Sequence, residues 1–355
     1  MKRGCIFAAV LLLLAAGLFY LFAGGVESPR EAAGENFRLG TYVRLRLVGD
    51  DKKFLEKELA AADAEIVRLE ALFSANIASS DISRVNRAGG EWVKVGPETA
   101  DLIKRSLAIA AETDGAFDPA IGRVVRLWGI GTSAARVPDE SEIRAALRGG
   151  GYKNVKVREE DGESYVKAPD GLWLDLGAIA KGRVADILKE RLVSDGVRGA
   201  IIDLGGNLAL IGSSPDGRPW RLGLQHPHKQ RGEYFGVVNV SDGSVVTSGP
   251  YERFFERDGV RYHHIFDPAT GYPAKSDLDS VSIIDADSTR ADALCTALFV
   301  MGRARAEKFL EKNTDLAAVL VLASGDKVLV TPAAREIFEL TDKKFTVEVI
   351  GGGAR

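Results

Sequence analysis

The repeat of apolar positions changes several times along the chain, and each change marks an element. Over 37–48, Phe37, Leu39, Thr41, Val43, Leu45 and Leu47 recur at every second residue, the period of a half-buried strand. From 51 to 73 the spacing of Phe54, Leu55, Leu59, Ile66, Leu69 and Leu72 becomes helical and predicts one amphipathic helix. A polar loop with Ser79, Ser80 and Asp81 follows. Helices are predicted over 98–113 and 139–147, the second stopped by Gly149, Gly150 and Gly151. Short strands follow at 155–157, 165–168 and 172–174, then a helix over 178–192 and an apolar strand, 200–204, running into Gly205 and Gly206. Strands and turns fill 220–284, helices 288–301 and 304–312, and strands at 317–322 and 345–350 close the chain. There is no internal repeat. Strands and helices mix without regular βαβ alternation, which predicts an α+β fold with largely antiparallel sheet.

Ahead of these elements, 4–26 is an uncharged stretch rich in Leu, Ala and Phe, preceded by Lys2 and Arg3. At 1.5 Å per residue it can cross a bilayer core of ~30 Å. Residues 1–26 therefore read as a membrane anchor with a cytoplasmic N-terminus, or alternatively as a cleaved signal, since Ala23, Gly24 and Gly25 loosely resemble a cleavage site. Either way the remainder is expected on the periplasmic or extracytoplasmic face, anchored at the inner membrane in the first case. Residues 27–36 read as a linker and 37–350 as one large domain.

Composition narrows the function. Lys and Arg number 47 against 50 Asp and Glu, a net charge of -3, which lacks the basic footprint of a nucleic-acid binder. Cys5 and Cys295 are the two cysteines, so neither a disulfide framework nor a Cys-rich metal site can form.

Several segments carry chemistry. Tyr262 to Gly271 places His264, Asp267 and Thr270 about one Asp-Pro bend, where loop residues converge on a ligand, although alone it also reads as an Asx-type turn after a strand. Asp292 and Thr296 stand four apart on a predicted helix, so their oxygens share a face and can hold a hard cation such as Mg²⁺. The alternative is a capped helix with Asp292 in its first turn. Leu174 to Asp186 breaks at Gly177 and enters a helix with Lys181 one turn in, a place for a phosphate or an ordinary tight connection. It is no P-loop. The four histidines, His226, His228, His263 and His264, lack zinc-ligand spacing.

Taken together, SSDISRVN at 79–86, GAFDP at 115–119, LDLGAIAKG at 174–182, DLGGN at 203–207, TSGPYER at 247–253, HIFDPATG at 264–271 and ADALCT at 291–296 resemble, in order, the motifs of the FAD:protein FMN transferase family, the ApbE-like flavin transferases. The resemblance implies two intimately associated parts around a deep FAD cleft, with Mg²⁺ at the pyrophosphate. It implies transfer of FMN from FAD to a threonine of an acceptor protein with release of AMP. It assigns His264 as the catalytic imidazole, the main-chain oxygen of Ala178 with Asp292 and Thr296 to the metal, and Ala116, Phe117, Asp118, Asp175, Lys181 and Ile265 to the flavin nucleotide. Leu39 stands where many members have Met and keeps an apolar contact. Asn76 stands where many have an aromatic that meets the isoalloxazine. Cys295 replaces a small Ser beside Thr296 and is expected to pack.

The implied chemistry suits these residue types. Reaction at a pyrophosphate depends on positioning and charge neutralisation, here by Mg²⁺ and Lys181. A threonine hydroxyl is a weak nucleophile and gains from a base of the pKa of histidine. His263 would point away from His264 on a strand and is expected to be structural. The alternatives are a Mg²⁺-dependent FAD pyrophosphatase using the same site, and a flavin-binding protein without activity. A redox flavoenzyme lacks both a Rossmann fingerprint and a cysteine pair.

Overall fold

The computed structural model describes residues 30–351, so the anchor or signal over 1–26 lies outside the described residues. At the centre is a nine-stranded sheet of β1 (Arg30–Arg38), β2 (Thr41–Gly49), β3 (Gly199–Asp203), β4 (Asn207–Ile211), β5 (Gly243–Ser248), β6 (Leu278–Asp285), β7 (Ala317–Leu322), β8 (Lys327–Val330) and β9 (Thr346–Val349). Each strand lies beside its predecessor, antiparallel except for the parallel pair β8 and β9. Spatial order is therefore chain order, and the site is built from what hangs between the strands.

The largest insertion, between β2 and β3, carries α1 (Lys52–Phe73), α2 (Asp81–Asn86), α3 (Pro97–Glu112), α4 (Gly122–Trp128), α5 (Glu140–Leu147) and α6 (Ala180–Ser194). It also holds a small sheet of Val93–Val95, Lys156–Glu160 and Glu163–Lys167. Helix α7 (Ser288–Lys312) joins β6 to β7. The largely antiparallel α+β arrangement is the one that the periodicity predicts.

Helix α1 starts where the Asp51 carboxylate accepts the Lys53 and Phe54 amides, and it buries Leu55, Ala62, Ile66, Leu69 and Phe73. Those side chains join Leu45 and Leu47 of β2 and Leu294 and Leu298 of α7 in one apolar cluster. The same cluster continues through Leu102, Ile103, Phe117, Val166 and Leu174 of the insertion, so the inserted part and the sheet share a core. Truncating any of its fully buried leucines to Ala is worth about 2–5 kcal/mol. On the opposite face, a three-stranded sheet of Trp220–Gln225, Tyr234–Val240 and Phe338–Leu340 packs Trp220, Leu224, Phe235 and Val238 on Val245, Val319 and Val328. Covered on both faces, β7 is buried at every position, which explains its unbroken apolar run.

Four expectations are corrected. The linker assigned to 27–36 is from Arg30 onward part of β1. The single strand over 37–48 is instead the end of β1, a two-residue turn at Leu39 and Gly40, both at positive φ, and β2. The loop after α1 contains α2, and the segment at 172–174 is no strand but a single bridge of Trp173 to Ile121. The break between 301 and 304 is present, because Gly302 leaves helical geometry inside α7 at φ 68° and ψ 175°. Among the described residues no helix is long and apolar enough to cross a membrane.

Candidate active site

One end of the sheet gathers the motifs. The Leu39–Gly40 turn closes β1 and β2 there, the Thr247 amide donates to the Gly206 carbonyl at 3.0 Å, and the Lys181 ammonium donates to the Gly205 carbonyl at 3.3 Å. The segment leaving β5 returns to the same end, where Arg253 donates from Nη2 to the Gly40 carbonyl at 3.1 Å.

Asp292 lies one turn into α7 and is 3% exposed. Its Oδ2 accepts the Gly182 amide at 2.9 Å. Only glycine permits this approach of α6 to α7, since a Cβ on Gly182 would fall 2.3 Å from the Ser288 carbonyl oxygen. Because the Gly182 amide is turned onto Asp292, it does not close a helical turn onto the carbonyl of Ala178, four residues earlier. A buried carboxylate, a main-chain oxygen at a helix entry and the Thr296 hydroxyl one turn beyond Asp292 thus supply hard oxygen donors of the kind Mg²⁺ takes. Burial raises the Asp292 pKa, opposed by Lys181, the Gly182 amide and Asn207, so the carboxylate is a desolvated charge that gains from a cation. Among the described residues, no cluster of three or more His, Cys, Asp or Glu could hold a metal.

The GAFDP and LDLGAIAKG segments run side by side: the Asp175 amide donates to Pro119 at 2.8 Å and Gly122 to Trp173 at 2.9 Å. Ala116 and Phe117 are buried in the main cluster. Asp118 accepts the Ala120 amide at 2.7 Å and the Tyr152 amide at 3.0 Å, while burial raises its pKa. Asp175 accepts the Gly177 amide at 2.7 Å, and burial likewise raises its pKa against the pull of that amide and Arg253. Leu39 sits half-buried in its turn, packed against the main cluster. Asn76 is exposed in the loop after α1, its amide bonded to Ser74 Oγ at 3.2 Å.

His264 follows a hairpin of Phe254–Arg257 and Val260–His263. Its Nδ1 is 3.2 Å from the Arg253 carbonyl oxygen and its amide donates to the same oxygen at 3.1 Å. A carbonyl only accepts, so Nδ1 carries the proton and Nε2 of the neutral ring keeps its lone pair. Burial, then Arg253 and Lys181, push the pKa of His264 down to about 3. The ring is therefore neutral at physiological pH, with Arg253 and Lys181 acting on it. His263 donates from Nε2 to the Ala274 carbonyl at 3.1 Å and accepts the Ile265 amide at Nδ1 at 3.3 Å, the structural role expected of it. Ile265 is buried beside it. His226 and His228 stand edge to face with each other, His228 paired with Asp279 at 2.7 Å, and among the described residues no three histidines form a metal cluster. Cys295 is buried with Sγ 3.0 Å from the Val246 carbonyl, packed as expected.

Sequence reasoning missed the residues that aim these groups. Asp186 accepts the Ser288 and Thr289 amides at 2.9 and 2.8 Å and so fixes the start of α7. Asn207 accepts the Ser288 hydroxyl at 2.9 Å and turns its amide toward Asp292. Asn86 clamps Leu174 from both sides at 2.7 and 2.9 Å. All three lie inside or next to the recognised motifs, which was the available signal.

Residues 39–320 match the ApbE family. The chain is 36% identical to the FAD:protein FMN transferase of Treponema pallidum over 98% of its own length and all of that protein, and 36% identical to one from Klebsiella pneumoniae over 83% of its length and 90% of the relative. Among solved structures, the ApbE protein of Thermotoga maritima superposes with a TM-score of 0.80 at 36% identity, covering 87% of this chain and 99% of that one. The Pseudomonas stutzeri flavinyl transferase ApbE gives 0.75 at 30%, covering 88% and 98%. With seven motifs meeting at one end of the sheet and these likenesses spanning nearly the whole described fold, the chain belongs to the ApbE family, the FAD:protein FMN transferases.

Proposed function

We propose that this chain transfers FMN from FAD to a threonine hydroxyl of an acceptor protein, with Mg²⁺ bound and AMP released. The observation that carries the reading is the tautomer of His264: its Nδ1 proton is committed to the Arg253 carbonyl, and Nε2 is left to take a proton. Asp292, Thr296 and the Ala178 carbonyl would hold the metal, which supplies charge neutralisation on the pyrophosphate. Lys181 adds a second positive charge that acts on both Asp292 and His264, opposing the rise in the Asp292 pKa and adding to the fall in that of His264. In the transfer, the threonine oxygen bonds to the FMN phosphorus as its proton passes to His264, and the bond to the AMP oxygen breaks. Asp118 and Asp175 would orient nucleotide groups, beside the backbone of Ala116, Phe117 and Ile265 and the half-buried Leu39.

The exposed Asn76 supports a second outcome at the same site. An amide where the family resemblance implies an aromatic would cover less of the flavin and admit water, favouring hydrolysis of FAD to FMN and AMP. The uncharged leader adds that the domain is exported and tethered to the inner membrane. The test incubates the protein with FAD and Mg²⁺, with and without a threonine-bearing acceptor, and follows AMP together with in-gel flavin fluorescence. Absence of AMP in both arms would overturn the reading. Alkaline carbonate washing checks the tether: a mature N-terminus near Val26 in the soluble fraction rules out the anchor.

A further inference from the structure

Arg253 reaches four segments of the site at once. Its carbonyl oxygen holds both the amide and Nδ1 of His264. Its guanidinium donates to the Gly40 carbonyl in the β1–β2 turn. Its stem passes Gly131, where an added Cβ would lie 3.6 Å from Arg253 Cδ, and an added Cβ on Gly40 would lie 3.8 Å from Nη2. Its charge acts on Asp175 of the strand-to-helix segment and on His264. The side chain is exposed, so none of this is needed to fill a core.

The geometry points to Arg253 as a positioning residue of the transfer reaction: its guanidinium straps the loop bearing His264 to the Leu39–Gly40 turn, so that its carbonyl aims Nε2 at the incoming hydroxyl. The inference rests on the proposed transfer. A planar guanidinium loses less rotamer freedom per hydrogen bond than a flexible ammonium, so its bond to the Gly40 carbonyl ties the two loops. The ring follows the loop, because its Nδ1 and the His264 backbone amide both end on the Arg253 carbonyl. Loosening the tie leaves His264 in place chemically but lets its direction drift, and misplacement of about 1 Å costs on the order of 10²-fold in rate. The charged groups acting on the ring are Arg253, Lys181 and His263, so removing the first also removes one of its cations.

The test compares Arg253→Gln, Arg253→Ala and Arg253→Lys with the parent in the full chain. Expected is a fall in kcat of about 10²-fold for Gln and Ala with FAD affinity, read by fluorescence quenching, changed less than threefold. Expected also is an upward move of the His264 titration, read by NMR of the imidazole protons and assigned with His264→Asn. Lysine retains the charge without the fork, so it should keep the His264 titration of the parent while losing rate. The titration readout does not depend on catalysis. Inactive parent enzyme would sink the transferase reading alone. Active parent with unchanged kcat in Gln and Ala would overturn the strap, as would loss of FAD affinity in step with rate, which makes Arg253 a ligand contact instead.

Discussion

Replacing Asp292 by Asn separates the charge of the carboxylate from its shape. The Asn oxygen can still accept the Gly182 amide that Asp292 holds at 2.9 Å, so α6 and α7 should stay docked. Asp292→Ala, by contrast, leaves that amide buried and unpaired, a cost of about 1–3 kcal/mol. At ~2–4 °C per kcal/mol for a large domain, alanine should lower Tm by several degrees. Asparagine should change it little, because it also relieves the desolvated charge. Mg²⁺ reverses the order. At a hundredfold excess over Kd, a metal bound only by the folded state adds about 2.7 kcal/mol, so the parent should show a clear Mg²⁺-dependent rise in Tm and Asp292→Asn none. Thermal melts at increasing Mg²⁺, read beside AMP release, give both quantities. An Asp292→Asn protein that keeps the Mg²⁺ shift and its turnover would refute the reasoning and remove Asp292 from the metal.

Three more outcomes follow from the same geometry. With the pKa of His264 pushed from about 6.5 to about 3, the ring should show no titration between pH 8 and 5 by NMR. Folding stability from this group is full above the unfolded value and declines as pH falls from 6.5 toward 3, because only the unfolded ring then binds a proton; full titration near 6.5 would contradict the burial. Gly182→Ala places a Cβ against the Ser288 carbonyl and should separate α6 from α7, costing about 1–3 kcal/mol and weakening Mg²⁺ binding; an unchanged melt would show that the helices can move apart freely. Asn76→Tyr should slow FAD hydrolysis relative to transfer, and an unchanged ratio of AMP to flavinylated acceptor would dispose of the water-access argument.

The sequence made the motifs and most long elements legible because periodicity reports burial. The helix pair within α7 was readable around Gly302, and β7 was readable from its apolar run. The start of β1 was not: Ala32 is its only fully buried residue, so an edge strand there looks like a polar linker. Nor was the hairpin turn, since Leu39 and Gly40 give positive φ without the usual Asn-Gly or Asp-Gly signal, and the alternation on either side happens to stay in phase. Helices α2 and α4, of six and seven residues, are too short for a period. Within the site, Asp292, Lys181 and His264 announce themselves by residue type. Asp186, Asn207 and Arg253 do not, because their work is to bond groups far away in sequence.

Strand β1 has nine residues and at ~3.4 Å each spans about 30 Å. Arg30 pairs with Gly49 at one end and Arg38 with Thr41 at the other, next to the site. Strand β9 runs beside β8 until Val349 meets Val330, and Val330 faces Val319 near the start of β7, again at the end remote from His264. The described fold therefore begins and ends on the side of the sheet away from the site. Both ends of the described fold thus lie about a strand's length from His264, so the chain entering β1 and leaving β9 does so without crossing the site.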